Sequence, residues 1–442
     1  MNANSIIKFL RGFNSFIWRA FGLANSSTHA LKRHTLRNLL GFLTVATILG
    51  SLATANATPV YRFFDLGTLG GTTSFASSIN NAATIVGSSY TLGNGPYVGL
   101  NEQHATVWAG GSILDLNTSA TTISNAVGIN DAGVVVGTTT VIGGNWVSQG
   151  TVWNGISSIF LGTLGGTSSN ATSINSSGKV VGHSDLAGNT ASHATLWDGQ
   201  SITDLGTLGG TSSAAFGIND SGRVVGMSQT LANAGIHATV WDGNGVTDLG
   251  AITGGGYSVA IAINNLGDVV GYRDVTGAIG SGRIHAMAWS GGIATDLGTL
   301  GGDHSFANAI NESGRIVGSS HLLPGNSASH ATLWDGGAIF DLNDFLNIEA
   351  RNAGWTLVTA TGINDNGWIV GVAQGPRTTD PQHAFLLTVL SVPEPGTLAT
   401  LLLGLVALAV SSRKKSGIGR RAMLRCTSGQ MASDKNKNTA LI

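Results

Sequence analysis

Histidine recurs in one short pattern along the chain, and it is the side chain best suited to bind metals or move protons near neutral pH. The pattern is "HATVW" or a close variant, at His104, His193, His237, His285, His330 and His383, with Gln149 in one copy. Equivalent positions in successive repeats are kept apart unless they line a shared channel. Glutamine at one of them fits hydrogen bonding better than ligation, so we predict a packing role and no metal or cofactor site.

A glycine-rich motif recurs as well, and such loops can bind phosphate. "DLGTLGG" begins at Asp65, Asp204 and Asp296, with variants at Asp115, Phe160, Asp248 and Asp341. A phosphate-binding P-loop requires G-x-x-x-x-G-K-[ST] between a strand and a helix, and a dinucleotide fingerprint requires a βαβ unit. Neither context is present. We therefore interpret the motif as a joint between structural repeats, where glycine permits backbone paths closed to other residues.

Carboxylates follow asparagine in "INDSG", "INESG" and "INDNG", at Asp220, Glu312 and Asp365. The D-x-D-x-D-G spacing of a calcium loop is missing, so we interpret them as solvated turn residues. Glycoside hydrolysis needs a pair of carboxylates, and no pair outside the repeat stands out. The sequence predicts no catalytic residue.

Aromatic side chains fall into two groups. Trp108, Trp153, Trp197, Trp241, Trp289 and Trp334 keep a fixed register with the histidine position, which predicts a role in the core. Four others lie outside the repeat and are not required by it. We take these as candidate ligand contacts: Tyr97, Trp146, Tyr257 and Trp355.

The elements that position these residues follow from an internal repeat. Ile-Asn recurs at Asn80, Asn130, Asn175, Asn219, Asn264, Asn311 and Asn364, at intervals of 44 to 53 residues. Each unit holds four short runs rich in Val, Ile, Thr or Trp and bounded by turn residues, which is the signature of strands. Seven units of four strands predict an all-β fold, a seven-bladed β-propeller with little helix.

The two ends of the repeat support a closed ring. The chain begins with a lone fourth strand, "YRFFDLG", and the seventh unit stops after its third strand, "HAFLLTVL". We expect Tyr61–Leu66 to pair with His383–Leu390 and close the ring. The alternative is a β-solenoid with two coils per unit, which needs polar caps that the sequence lacks.

The repeated "HATVWDGG…TDLGTLGG…A…IN" pattern, from about Phe63 to Leu387, resembles the HAF-repeat family of predicted extracellular bacterial proteins. The resemblance implies a location outside the cytoplasm. It implies no biochemical activity.

Charge is distributed unevenly. Residues 58–390 contain 21 Asp and Glu against eight Lys and Arg, whereas the first 57 residues hold six basic residues and no acid. An acidic body repels phosphate backbones, so nucleic acid is not expected as a partner. The single cysteine, Cys426, lies in the basic tail, which excludes disulfides and thiolate sites from the repeats.

Residues 1–57 are typical of a secretory signal peptide with a long N-terminal region. Basic residues precede an apolar run from Leu39 to Leu52, and Ala55-Asn56-Ala57 provides the small residues required for cleavage after Ala57. We expect export.

Residues 391–415 resemble the PEP-CTERM sorting signal of Gram-negative bacteria. The parts are Val392-Pro393-Glu394-Pro395, an apolar stretch from Leu398 to Val410, and Arg413-Lys414-Lys415. The resemblance implies an exosortase-type processing enzyme as partner and a membrane helix that anchors the chain before processing, with its basic end in the cytoplasm. Residues 416–442 then form a polar basic tail, for which we predict disorder.

Together these features predict an exported propeller at the cell surface or in the extracellular matrix, acting as a monomeric, non-catalytic binding module. Exopolysaccharide is the expected ligand. The alternatives are a secreted propeller enzyme that acts on glycans and a purely structural envelope protein.

Overall fold

The computed structural model describes residues 60–92, 102–117, 119, 122–142, 146–243, 245–250, 256–276, 282–325, 328–375 and 381–390. All of them lie within the compact unit Pro59–Leu390. Their 28 strands form seven antiparallel four-stranded sheets arranged as the blades of a ring. The predicted seven-bladed β-propeller is therefore confirmed, and the solenoid alternative is wrong.

Each blade begins with an inner strand that follows the central channel. These first strands are β2 Gly70–Ile79, β6 Thr122–Ile129, β10 Gly165–Ile174, β14 Gly209–Ile218, β18 Ser258–Ile263, β22 Ser305–Ile310 and β26 Thr356–Ile363. The second strands are β3 Ile85–Thr91, β7 Val135–Val141, β11 Val180–Leu186, β15 Val224–Thr230, β19 Val269–Asp274, β23 Ile316–His321 and β27 Ile369–Gln374.

The histidine motif forms the third strands. They are β4 Gln103–Ala109, β8 Val147–Asn154, β12 Ser192–Asp198, β16 Ile236–Asp242, β20 Ile284–Ser290, β24 Ser329–Asp335 and β28 Gln382–Leu390. The outer strands are β5 Ser112–Asp115, β9 Ser157–Phe160, β13 Ser201–Asp204, β17 Gly245–Asp248, β21 Ile293–Asp296, β25 Ala338–Asp341 and, for blade 7, β1 Val60–Asp65.

The N-terminal strand closes the ring as the sequence predicts. β1 pairs antiparallel with β28, in a register that places Val60 opposite Leu390 and Asp65 opposite Phe385. The amide of Leu66 continues the ladder by donating to the carbonyl of Ala384. Blade 7 is thus built from both ends of the repeat region, and no covalent bond is needed to hold the circle.

The core lies between the blades, because each sheet packs both of its faces against its neighbours. The six repeated tryptophans are buried, each no more than 5% exposed. Trp241 of blade 4, for example, belongs to one cluster with Val181 and Ala194 of blade 3. The predicted core role of these tryptophans is confirmed.

The glycine that ends each "VVG" run is required for close packing. In the second strand of blade 3, a Cβ on Gly182 would lie 1.9 Å from the carbonyl oxygen of Asn170 in the first strand. The register of the two strands shifts at this point, between Ala171 and Ser173. Only glycine allows the approach that this bulge imposes.

The described residues contain little helix, and most of it lies in the connection from blade 6 to blade 7. The 3-10 helix η3 (Leu342–Phe345) and the short helix α1 (Ile348–Asn352) lie there. The Phe345 ring packs 5.9 Å from that of Tyr61, and the Trp355 ring 5.5 Å from that of Phe63. This connection therefore covers the closing strand β1.

Two further 3-10 turns follow second strands, η1 (Ala187–Asn189) and η2 (Leu231–Asn233). Within the described ranges, no helix has the length and apolar character needed to cross a membrane. The predicted signal peptide, sorting signal and basic tail all lie outside these ranges.

Candidate functional site

The ring has two faces that differ in construction. The first and second strands of each blade join through a tight turn that starts at the repeated asparagine, and we call this side the hairpin face. The opposite side, which we call the loop face, carries the connections between second and third strands and between blades. Third strands start, and fourth strands end, at the loop face.

Seven asparagines form a closed belt at the hairpin face. The Nδ2 of each donates to the backbone carbonyl of the asparagine in the next blade, at 3.1 to 3.3 Å, and Asn364 donates to Asn80 to complete the circle. Each Oδ1 accepts the backbone amide four residues later and so fixes its own turn. All seven side chains are buried. The belt joins every blade to the next.

The residue after each asparagine forms a second ring at the channel mouth. Four of its members are carboxylates: Asp131, Asp220, Glu312 and Asp365. They accept backbone amides from the preceding blade, as Asp220 does from Ser176 at 2.9 Å. Hydrogen bonds from the Ser176 side chain, the Ser176 amide and the Asn265 side chain lower the pKa of Asp220, and burial is too slight to offset them. The carboxylates are exposed, as predicted, but they also link the blades.

The belt, the second ring and a row of isoleucines line a channel cavity of about 270 Å³. Among the described residues, no group of three or more His, Cys, Asp or Glu side chains is arranged to hold a metal ion. The repeated polar groups of this face bond mainly to one another. The hairpin face therefore functions as a structural clamp.

The repeated histidines pair with the aspartates of "DLG" at the loop face. In six blades the histidine Nδ1 donates to the aspartate of the adjacent outer strand at 2.6 to 3.0 Å. The same aspartate accepts the backbone amide two residues later, as Asp204 does from Gly206. Each carboxylate thus fixes both the third strand and the start of the joint to the next blade.

The ring-closing pair, His383 and Asp65, has opposite pKa shifts. The hydrogen bond to Asp65 and its charge raise the pKa of His383 against the effect of burial. Burial raises the pKa of Asp65, but the bonds from His383 and the Gly67 amide and the charge of His383 outweigh it and lower that pKa overall. Burial likewise raises the pKa of Asp341, but the hydrogen bonds from His330 and Asn343 outweigh it and lower that pKa overall. The charged forms are stabilised in the closed ring.

Blade 2 lacks both members of this pair. Gln149 stands where the other blades have histidine, and Phe160 stands where they have aspartate. The register of β8 and β9 is nevertheless the usual one, since Thr151 faces Phe160 as Thr195 faces Asp204 in blade 3. The joint replacement of histidine and aspartate in one unit is visible in the sequence and hints that the two residues interact. Only the structure shows that they are hydrogen-bonded partners.

The four predicted ligand contacts are not brought together. Tyr97 lies outside the described residues. Trp146 lies at the loop face just before β8 and is 66% exposed. Tyr257 starts blade 5, with its ring 6.0 Å from that of Tyr272. Trp355 packs between Phe63 and His383 at the ring closure. Of the three described residues, Trp146 presents the most open surface.

Comparisons with known proteins identify the C-terminal segment. A family model described as the PEP-CTERM protein-sorting motif matches residues 391–415. The HAF-repeat likeness of the propeller therefore stays a resemblance of pattern. No curated protein matches the chain.

Solved structures similar to the chain share little sequence with it. TolB from Acinetobacter baumannii is 9% identical with a TM-score of 0.38, over 73% of this chain and 64% of that one. Pyrococcus horikoshii acylaminoacyl peptidase is 10% identical with a TM-score of 0.44, over 73% and 53%. The β-propeller domain of the Trilobed protease from Pyrococcus furiosus is 11% identical with a TM-score of 0.34, over 62% and 99%. The chain thus spans less than two thirds of TolB and of the peptidase.

Proposed function

We propose that this chain is a non-catalytic binding module for extracellular polysaccharide, displayed at the surface or in the matrix of a Gram-negative bacterium. The sorting motif at residues 391–415 implies export through a membrane-anchored intermediate that an exosortase recognises. The propeller is the part that is delivered.

The observation that carries the proposal is how the recurring ionisable groups are used. Six histidines and their aspartates bond to each other, and the channel carboxylates bond to neighbouring blades. These groups are held in structural contacts, which favours binding over acid–base chemistry. Blade 2 departs from the repeat at the loop face, where a rigid ring can present side chains that the repeat does not require.

One experiment distinguishes polysaccharide binding from polysaccharide cleavage. The exported protein is run through native gels that contain dextran, galactomannan or alginate, and the same mixtures are assayed for new reducing ends. We expect retardation by at least one polysaccharide without release of reducing ends. Release of reducing ends would support a glycan-active enzyme, and absence of both effects would support a purely structural protein.

Sorting is tested separately with Glu394→Ala, which removes the only carboxylate of the sorting motif. We expect the variant to accumulate in the membrane fraction, while the wild type appears at the surface or in the medium. Glu349→Ala, which changes an exposed carboxylate of α1, is the matched control and is expected to distribute like the wild type. Equal distribution of the Glu394 variant and the wild type would contradict processing at this motif.

A further inference from the structure

In six blades the histidine of the third strand bonds to the aspartate of the outer strand, whereas blade 2 has Gln149 at the histidine position and no aspartate to bond it. The histidine at this position donates its Nδ1 to an aspartate, as His193 does to Asp204. Gln149 is only partly buried, and its side-chain amide makes no hydrogen bond to any described residue. An amide has two donors and an acceptor, so Gln149 can bond a ligand hydroxyl in both directions.

Two exposed aromatic side chains lie at the loop face of the same blade. Phe160 ends the outer strand β9 and is 51% exposed, and Trp146, 66% exposed, precedes β8 by one residue. Such exposed rings are uncommon here, because the repeated tryptophans are buried and Trp355 packs against Phe63. Exposed aromatic faces next to open polar groups are a feature of binding surfaces.

Charge is nearly absent from this part of the chain. Between Asp115 and Lys179 the only charged residue is Asp131, which lies at the hairpin face. Blade 2 also has Asn154 where blades 3, 4 and 6 have Asp198, Asp242 and Asp335. In an otherwise acidic propeller, this blade offers a surface that neither attracts cations nor repels anions strongly.

We infer that the loop face of blade 2 is a binding platform for uncharged pyranose units of a polysaccharide. The apolar C–H face of a sugar ring packs on Trp146 or Phe160, and its hydroxyls bond to Gln149. The inference rests on the proposed function and adds the location and the neutral character of the ligand.

Native-gel affinity measurements on the full exported chain test the site. We expect dextran or galactomannan to retard the wild type more than alginate does. Trp146→Ala should raise the Kd at least about tenfold, because it removes a stacking surface. Gln149→His combined with Phe160→Asp should do the same, because it restores the pair found in the other blades and closes the amide position.

The double variant follows the repeat, so loss of binding through misfolding is not expected, and thermal denaturation checks this. Ile293→Ala is the matched control, because Ile293 is 70% exposed on the outer strand of blade 5. It should leave the Kd unchanged.

The outcomes distinguish this inference from the proposed function. Neutral-polysaccharide binding that both blade 2 variants retain would overturn the platform and leave the proposed function standing. Retardation by alginate alone would overturn the neutral ligand. Binding to no polysaccharide would overturn both. A dimer in light scattering that Phe160→Asp converts to a monomer would show that a second copy covers this surface.

Discussion

The hairpin face and the loop face of the ring are built from the same seven repeats but differ in regularity. At the hairpin face all seven asparagines make the same two hydrogen bonds. At the loop face the His–Asp pair occurs in six blades, and blade 2 replaces both members. The loop-face contact is therefore replaced in one blade, whereas the asparagine contact is kept in all seven.

The difference follows from what each contact joins. The asparagine belt links successive blades and has no end, so one missing member interrupts the ring and leaves a buried carbonyl without its partner. In blades 1 and 3 to 6 the His–Asp pair joins neighbouring strands of one sheet, and its loss does not interrupt the ring. The loop face is consequently free to depart from the repeat, and blade 2 does so at Gln149 and Phe160.

Removing one member of the belt should have the largest effect. Asn219→Ala deletes the bond to the Asn264 carbonyl and the acceptor for the Arg223 amide and the Ser221 hydroxyl. Because Asn219 is 4% exposed, buried groups lose their partners, and we expect the free energy of unfolding to fall by about 3 kcal/mol. Urea denaturation measures this.

Leu266→Ala serves as the control on the same face, since Leu266 is 74% exposed in a hairpin turn. It should change the free energy of unfolding by less than about 0.5 kcal/mol. Equal costs for the two variants would show that the belt does not hold the blades together.

Loss of the ring-closing pair should reduce stability by an intermediate amount. The pair is a loop-face contact, but it also joins the two ends of the propeller. Asp65→Asn keeps an acceptor for Gly67 and His383 but removes the charge. Both side chains are partly exposed, so we expect a loss of only about 1 kcal/mol at pH 5.5. Matched urea titrations of the wild type and the variant measure it.

The pH dependence of this loss has a defined sign. The raised pKa of His383 gives stability that is complete below about pH 6.5 and is lost as the pH rises through the folded-state value. The lowered pKa of Asp65 gives stability that is present above about pH 3.9 and is lost as the pH falls through its folded-state value. The difference between wild type and variant should therefore be greatest between about pH 4 and 6.5. A difference independent of pH would contradict a charged pair.

Asp204→Asn in blade 3 separates ring closure from local stability. Its partner His193 lies in the same sheet, on the strand that immediately precedes that of Asp204 along the chain. Limited proteolysis should release the N-terminal strand more readily in the Asp65 variant than in the Asp204 variant. Equal cleavage would show that the pair at the closure has no special role.

The fold was predictable because its determinants are local. The repeat interval, the β-branched runs and the glycine turns define four strands per unit, and the offset of "YRFFDLG" and "HAFLLTVL" predicts the pairing of β1 with β28. Residues 348–352 were not predicted as helix. Five residues are too few for a helical period, and α1 depends on the packing of its surroundings, such as buried Leu346 and Ala350.

The contacts of the site were less predictable because they join distant residues. The position of each asparagine before a turn accounts for its Oδ1 bond, but the partner of its Nδ2 lies a whole blade away, as in Asn219 and Asn264. Tryptophan burial could be predicted from register alone. The ligand candidates could not be ranked, because whether a non-repeated aromatic is open, like Trp146, or packed, like Trp355, depends on neighbours from other blades.

The smallest expected effect concerns blade 2 itself. Gln149→His with Phe160→Asp should create a seventh His–Asp pair and supply a carboxylate to the Gly162 amide, as Asp204 does for Gly206. The usual strand register is already present, so a gain of about 0.5 kcal/mol is expected, typical of a partly exposed pair. Urea denaturation of both single variants and the double variant gives the coupling between the two positions. Favourable coupling would mean that blade 2 lacks the pair although its backbone accepts it, which is the pattern of a surface adapted for binding. A loss of more than about 1 kcal/mol in the double variant would mean instead that Phe160 stabilises the blade by packing, and that the departure from the repeat is structural.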